Sequence, residues 1–239
     1  MATALDRLES EPVLTTLQAL RERIGARFPE RGLYAVSGDL VELAGRVATS
    51  EAQNRDRLRV VRLASRALIL VVVGLTLAAF AFALRSVGEG PEHEVEWLSL
   101  LESAVNDIVF AAIAIWFLFT VPERLRRSNT LALLHELRSL AHIIDMHQLN
   151  KDPERLRSTF TPTSASPAMG LSHEELEHYL DYCSELLSLV GKTAALCAEE
   201  SRDAVVLDTV STIETLTTGM SRKIWQKISV LNEVRRSAT

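Results

Sequence analysis

The sequence predicts an all-α protein: a two-span transmembrane helical hairpin carrying a cytoplasmic helical bundle with coiled-coil-like helices. Three observations lead there. Two apolar stretches, Ala67 to Leu84 and Ala104 to Val121, are each about 18 residues, on the order of 27 Å as helix and close to the hydrocarbon thickness of a bilayer. Arginines flank the pair at both ends, whereas the short connection between them is acidic. Elsewhere apolar residues recur at alternating spacings of three and four. No strand pattern competes, although Thr209 to Thr218 is rich in β-branched residues.

Residues 1–63 read as an N-terminal cytoplasmic helical segment. Ser10 followed by Pro12 resembles a cap with a first-turn proline, and Val13, Leu17, Leu20, Ile24 and Phe28 follow at helical spacing. Pro29 to Gly38 predicts a break. Leu40, Leu43, Ala44 and Val47 then open a second helix, carried toward the membrane through Arg55, Arg57, Arg59, Arg62 and Arg66. These first residues are charged and amphipathic without a short apolar core, so a cleaved signal peptide is not expected.

Residues 64–122 form the expected hairpin, with spans at 66–85 and 103–121 and an acidic external loop at 86–101. The first stretch holds eleven Leu, Ile, Val and Phe and no ionisable side chain. At roughly −0.3 to −0.6 kcal/mol each near the bilayer centre they total about −4 to −5 kcal/mol, which one Gly and one Thr do not cancel. Asp107 would cost about 3 kcal/mol at mid-membrane, but it lies one turn from the end of its span, within reach of water and headgroups. Arg124, Arg126 and Arg127 follow the second span, while the loop carries Glu89, Glu92, Glu94 and Glu96 with only Arg85 at its edge. Basic residues remain on the cytoplasmic side, so both termini are expected there, in an integral cell (inner) membrane. Trp97 and Trp116 fall near opposite ends of the second span, as interfacial anchors do.

Residues 123–239 read as a C-terminal cytoplasmic helical domain. A helix capped by Ser128, Asn129 or Thr130 should run to about Leu149 and stop at Asn150 and Asp152-Pro153. The Ser/Thr/Pro-rich stretch 158–171 is the best linker in the chain. Ser172 with Glu175 forms a capping-box pattern. Leu176, Leu180, Cys183, Leu187, Val190, Ala194 and Cys197 then alternate spacings of four and three, a seam either within the bundle or between subunits. A charged interruption (EESRD) precedes a second series at Val206, Val210, Ile213, Thr217, Met220 and Ile224. The phase difference leaves one discontinuous helix or two helices open. Cys183 and Cys197 lie fourteen residues apart on one expected helix, about 21 Å and beyond disulfide reach, so reduced thiols are expected.

The chemistry offers candidates without a decisive motif. His135, Arg138, His142 and Asp145 form a stripe at spacings of three and four, beside the apolar face Leu134, Leu137, Ala141 and Ile144. Such neighbours can hydrogen-bond in a polar network, or serve as a pH switch or anionic-ligand site; the arginine repels a metal cation. Glu102, Asn106 and Asp107 at the entrance of the second span would concentrate cations at a pore mouth in a ring of subunits, although acidic groups suit a helix N-terminus anyway. His173 and His178 are five apart, about 140° around a helix, which fails the four-residue spacing of a zinc hydrolase. No phosphate loop, dinucleotide fingerprint, nucleophile elbow or cysteine metal cluster occurs, so no metal and no cofactor is expected.

Composition narrows the partners. A net charge of −5 and 5% aromatic residues argue against nucleic acid. The expected partners are the lipid bilayer, other copies in a homo-oligomer, and a cytoplasmic protein; Gly74 with Ala78 and Ala79 with Ala83 are small-residue pairs that let membrane helices approach. The expected role is non-enzymatic, an oligomeric membrane scaffold or signal-transducing module. An oligomeric cation channel with its mouth at Glu102 and Asp107 is the main alternative, and a membrane-bound enzyme or ligand sensor using the His135–Asp145 stripe the third.

Overall fold

In the computed structural model, the described residues are 8–87, 94–157, 160–166, 170–199 and 201–238. Among them the chain is all-helical: α1 (Ser10–Arg27), α2 (Gly32–Val87), α3 (Glu94–Leu149), α4 (His173–Ala198) and α5 (Ala204–Ala238), with a 3-10 turn at Pro153–Leu156. The chain divides into two compact units, Met1–Glu51 with Asn129–Thr239, and Ala52–Ser128.

In the first unit, α1 places Val13, Leu17, Leu20 and Ile24 on one buried face. Its cap departs from the expected one: Glu9 holds the cap position with no side-chain bond, and Ser10 is already helical. Phe28 ends the helix, its N–H donating to the Ile24 carbonyl at 2.7 Å. The following break is shorter than Pro29 to Gly38, because α2 begins at Gly32. Leu33 and Val36 belong to the same buried face as Leu40, Leu43, Ala44 and Val47. Burying these two side chains at about 1.5–3 kcal/mol each outweighs the roughly 1 kcal/mol penalty of Gly38 inside a helix.

No helix starts at Ser128–Thr130 either; α3 runs through that position with Pro122 inside it. Proline removes one N–H from the ladder, a local loss that a helix of 56 residues survives. Beyond it Leu134, Leu137, Leu140, Ala141 and Ile144 enter the core, and α3 stops at Leu149 where expected. The Asp152 side chain then caps the 3-10 turn by accepting from the Glu154 N–H.

At the start of α4 both halves of the capping box are present: Ser172 Oγ accepts from the Glu175 N–H at 3.2 Å, and Glu175 Oε2 accepts from the Ser172 N–H at 2.8 Å. The interruption after Ala198 separates two helices, because Asp203 Oδ1 accepts from the N–H groups of Val205 and Val206 and caps α5 afresh. Helices α4 and α5 pack along their lengths, α1 lies against α4, and the 3-10 turn lies against α5. The close approach of α4 and α5 depends on Gly191, where a Cβ would stand 3.1 Å from Thr217 Oγ1. One continuous core includes residues of all five helices. Cys183 is buried and Cys197 half-buried, both as free thiols.

The second unit contains two helical stretches long and apolar enough to cross a membrane, within Arg59–Phe82 and from Leu101 onward. Almost none of either apolar window is buried. Residues 88–93 of the acidic loop, and the side chains of Arg55, Arg57, Ala83 and Trp97, lie outside the description.

Candidate functional site

Two features stand out from the folded core, one apolar and one polar. The apolar feature belongs to the second unit. Leu70, Phe82, Phe110 and Phe119 are each at least 70% exposed, and Leu63, Leu75, Trp116 and Ile113 are exposed beside them. An apolar surface of this extent is rare on monomeric soluble proteins and is typical of surfaces that meet lipid or another protein. Gly74 has open space where a side chain would be. Glu102, Asn106 and Asp107 are exposed on α3, as are Arg59, Arg62 and Arg66 on α2 and Arg124 on α3, whose guanidinium lies 5.9 Å from the Phe117 ring centre.

The stripe on α3 separates into members with different surroundings. His135, Arg138 and His142 are exposed, and Asp145 is half-buried. Asp145 Oδ1 accepts from Gln148 Nε2 at 2.7 Å, and among the described residues no bond links His142 to Arg138 or Asp145. The reason is burial: Gln148 is only 2% exposed and its amide meets the Asp145 carboxylate, whereas His135 and His142 are exposed. His135 does line a cleft of about 300 Å³ between α2 and α3, with Asp39, Glu42, Arg46, Glu136 and Ser139. Arg46 forms a bidentate ion pair with Glu136 across it, which raises the arginine pKa. No cluster of three or more metal-binding side chains occurs among the described residues.

Just beyond the stripe, the end of α3 gathers ionisable groups from five segments. Tyr179 on α4 reaches His147 Nδ1 with its hydroxyl at 3.4 Å. Lys151 Nζ lies 5.7 Å from the Tyr179 ring centre, a cation over an aromatic face. Lys227 on α5 donates from Nζ to the Gln148 carbonyl at 2.8 Å, satisfying one of the unpaired carbonyls at the helix end. The turn between α1 and α2 closes the fourth side: a Cβ on Gly32 would stand 2.6 Å from His147 Cε1, so any side chain there would displace the imidazole. Next to it, Arg31 Nη2 donates to the Gly170 carbonyl at 2.7 Å. Arg155 on the 3-10 turn lies over Phe160.

Burial governs the protonation of these groups. His147 is held below its ordinary pKa by desolvation and then by the Lys151 charge. Lys151 is lowered by desolvation, then by Arg31 and Arg155; Lys227 is lowered by desolvation, partly offset by Asp152 and Asp145. Desolvation pushes the Tyr179 phenol up, so it remains a neutral hydroxyl, and likewise keeps Cys183 a thiol.

The sequence seam has a different location from a surface. Leu176, Leu180, Cys183, Leu187, Val190 and Ala194 are each 0% exposed, enclosed within the single chain. His147, Lys151, Tyr179 and Lys227 escaped the sequence reading because no local pattern joins them: His147 and Tyr179 are 32 residues apart, Gln148 and Lys227 79. The available hint was an ionisable pair, His147 and Lys151, spaced four apart at a helix stop.

No family model matches this chain, and neither a curated protein nor a solved structure matches it.

Proposed function

We propose that this chain is a two-span integral protein of the cell (inner) membrane, acting as a non-enzymatic, oligomeric scaffold or signal-transducing module through a cytoplasmic helical domain. The observation that carries the reading is the contrast in burial. Leu, Ile and Val of the first unit close into one core, while the large apolar side chains of the second unit face outward. Lipid is the solvent in which that arrangement is stable, since roughly 25 cal/mol is lost for each Å² of apolar surface left in water.

Topology is supported independently. The segments before and after the two spans belong to one compact unit, and an even number of crossings returns the chain to the side it left. The arginines bordering both apolar windows favour the cytoplasm for that side. Exposed Gly74 and Ala78 favour close approach of a second membrane helix and hence self-association.

Paired reporter fusions test the reading, one in the loop at residue 90 and one at Thr239. The loop fusion should be active outside and the C-terminal fusion only in the cytoplasm, with the protein resisting alkaline extraction from membranes. A C-terminal reporter active outside, or release of the protein by alkali, overturns it.

A further inference from the structure

The outward face of α2 does not end where its apolar stretch ends. Leu70, Val73, Leu77 and Phe80 recur at spacings of three and four, so they share one side of the helix, and all four are exposed. Followed toward the N-terminus at the same spacing, that side carries Arg66, Leu63 and Arg62, which are exposed as well. Arg66 therefore lies one turn from Leu63 and one turn from Leu70, which are 64% and 72% exposed. From Leu58 to Val87 the helix has no Asp or Glu. Arg62 and Arg66 are a like-charge pair four residues apart, which repels across one helical turn. Among the described residues no carboxylate pairs with either.

We propose that Arg62 and Arg66 hold the headgroup of an anionic phospholipid, their guanidinium groups donating to its phosphate oxygens while Leu63 and Leu70 lie against its acyl chains. The proposal rests on the two-span membrane reading and adds a ligand to it. Two properties of the face select this occupant. Its charge is continuous with the outward apolar surface, so the partner must be anionic at one end and apolar at the other; an acidic protein surface matches the arginines and leaves the interleaved leucines unmatched. The depth agrees: at 1.5 Å per residue Arg66 and Arg62 stand about 1.5 and 7.5 Å beyond Ala67, where the apolar stretch begins, and a headgroup layer is roughly 5–8 Å thick. Guanidinium groups meet phosphate with paired donors, and their alkyl stems extend along apolar surface. A zwitterionic lipid offers the same phosphate but brings its own cation, which the arginine pair repels.

The test titrates the full chain in neutral detergent with dioleoyl phosphatidylglycerol or dioleoyl phosphatidylcholine, counting bound lipid by native mass spectrometry. Phosphatidylglycerol should bind about tenfold tighter or more. At roughly fivefold per basic side chain near an anionic surface, Arg62→Gln combined with Arg66→Gln should weaken it at least tenfold and leave phosphatidylcholine unchanged. Removing the same charge from an exposed α5 pair, Arg222→Gln with Lys223→Gln, should change neither affinity. Circular dichroism melts establish folding, and each single arginine variant, expected to lose about fivefold, stands in should the double variant fail to fold. Equal affinity for the two lipids overturns the proposal and leaves an acidic protein as the partner of these arginines. Equal losses from the α2 and α5 pairs overturn it in favour of net charge alone. Alkaline extraction of membranes separates the two readings: a chain that resists alkali yet binds both lipids alike refutes this site only, and a chain released by alkali refutes the membrane reading and the site with it.

Discussion

His147 shows how one residue carries information about a whole junction. Its imidazole is enclosed by Gly32 and Tyr179 and faces the Lys151 charge, and those surroundings lower its pKa from the ordinary 6.5. A depressed folded-state pKa means the native protein prefers the neutral ring, so the associated stability is fully present above about pH 6.5 and is lost as pH falls through the lower folded value. Thermal melts from pH 7.5 to 5 should therefore show an acid-side decline that His147→Asn flattens. An identical decline in the variant would assign the effect to other groups. At the same contact, Gly32→Ala brings a methyl group against the imidazole and should lower stability by about 1–3 kcal/mol, measured by denaturant unfolding. Neither residue was legible beforehand. A glycine at a helix start and a histidine near a helix stop are unremarkable until the fold brings them 2.6 Å apart, measured to the absent Cβ.

The elements were much more legible, for reasons that differ among them. In α4 the capping box and the buried seam are local signals, and both act where their spacing indicated. Ser172→Ala should accordingly cost about 0.5–2 kcal/mol. Leu180→Ala should cost about 2–5 kcal/mol, because Leu180 is 0% exposed and its loss leaves a cavity in the core. Both are read from urea unfolding; a Leu180 substitution that weakens self-association without lowering folding stability would contradict the enclosure of the seam within one chain. The break between α4 and α5 was half-legible. EESRD marked an interruption, but only the Asp203 cap decides that a new helix begins. The boundaries at Gly38 and Ser128 were misread because glycine and serine are strong breakers by local propensity, whereas burial of Leu33 and Val36 on one side, and of Leu134 and Leu137 on the other, extends the helices across them. Pro122 is the corresponding case inside α3.

At the scale of the molecule, apolarity made the two helices of membrane-spanning length visible, but the partnership of the chain's ends was not. Residues 8–51 and 129–238 share a core, with Leu17, Leu20, Leu137 and Leu180 all fully enclosed. No periodicity in either segment names the other. The proposed self-association rests instead on the exposed small residues Gly74 and Ala78, and on that reading light scattering corrected for bound detergent should give a mass of at least twice 26.5 kDa. A monomer across a wide concentration range would remove the oligomeric part of the proposed role. The shared core also imposes an order of events on biosynthesis. When α1 and the start of α2 leave the ribosome, the surfaces against which Leu17 and Leu20 will rest have not been made, and α4 with α5 arrives more than a hundred residues later. At roughly 5–20 residues per second that wait is on the order of ten seconds. During it the nascent N-terminal helices present half of an interface, open to chaperones or to the matching face of a neighbouring nascent chain.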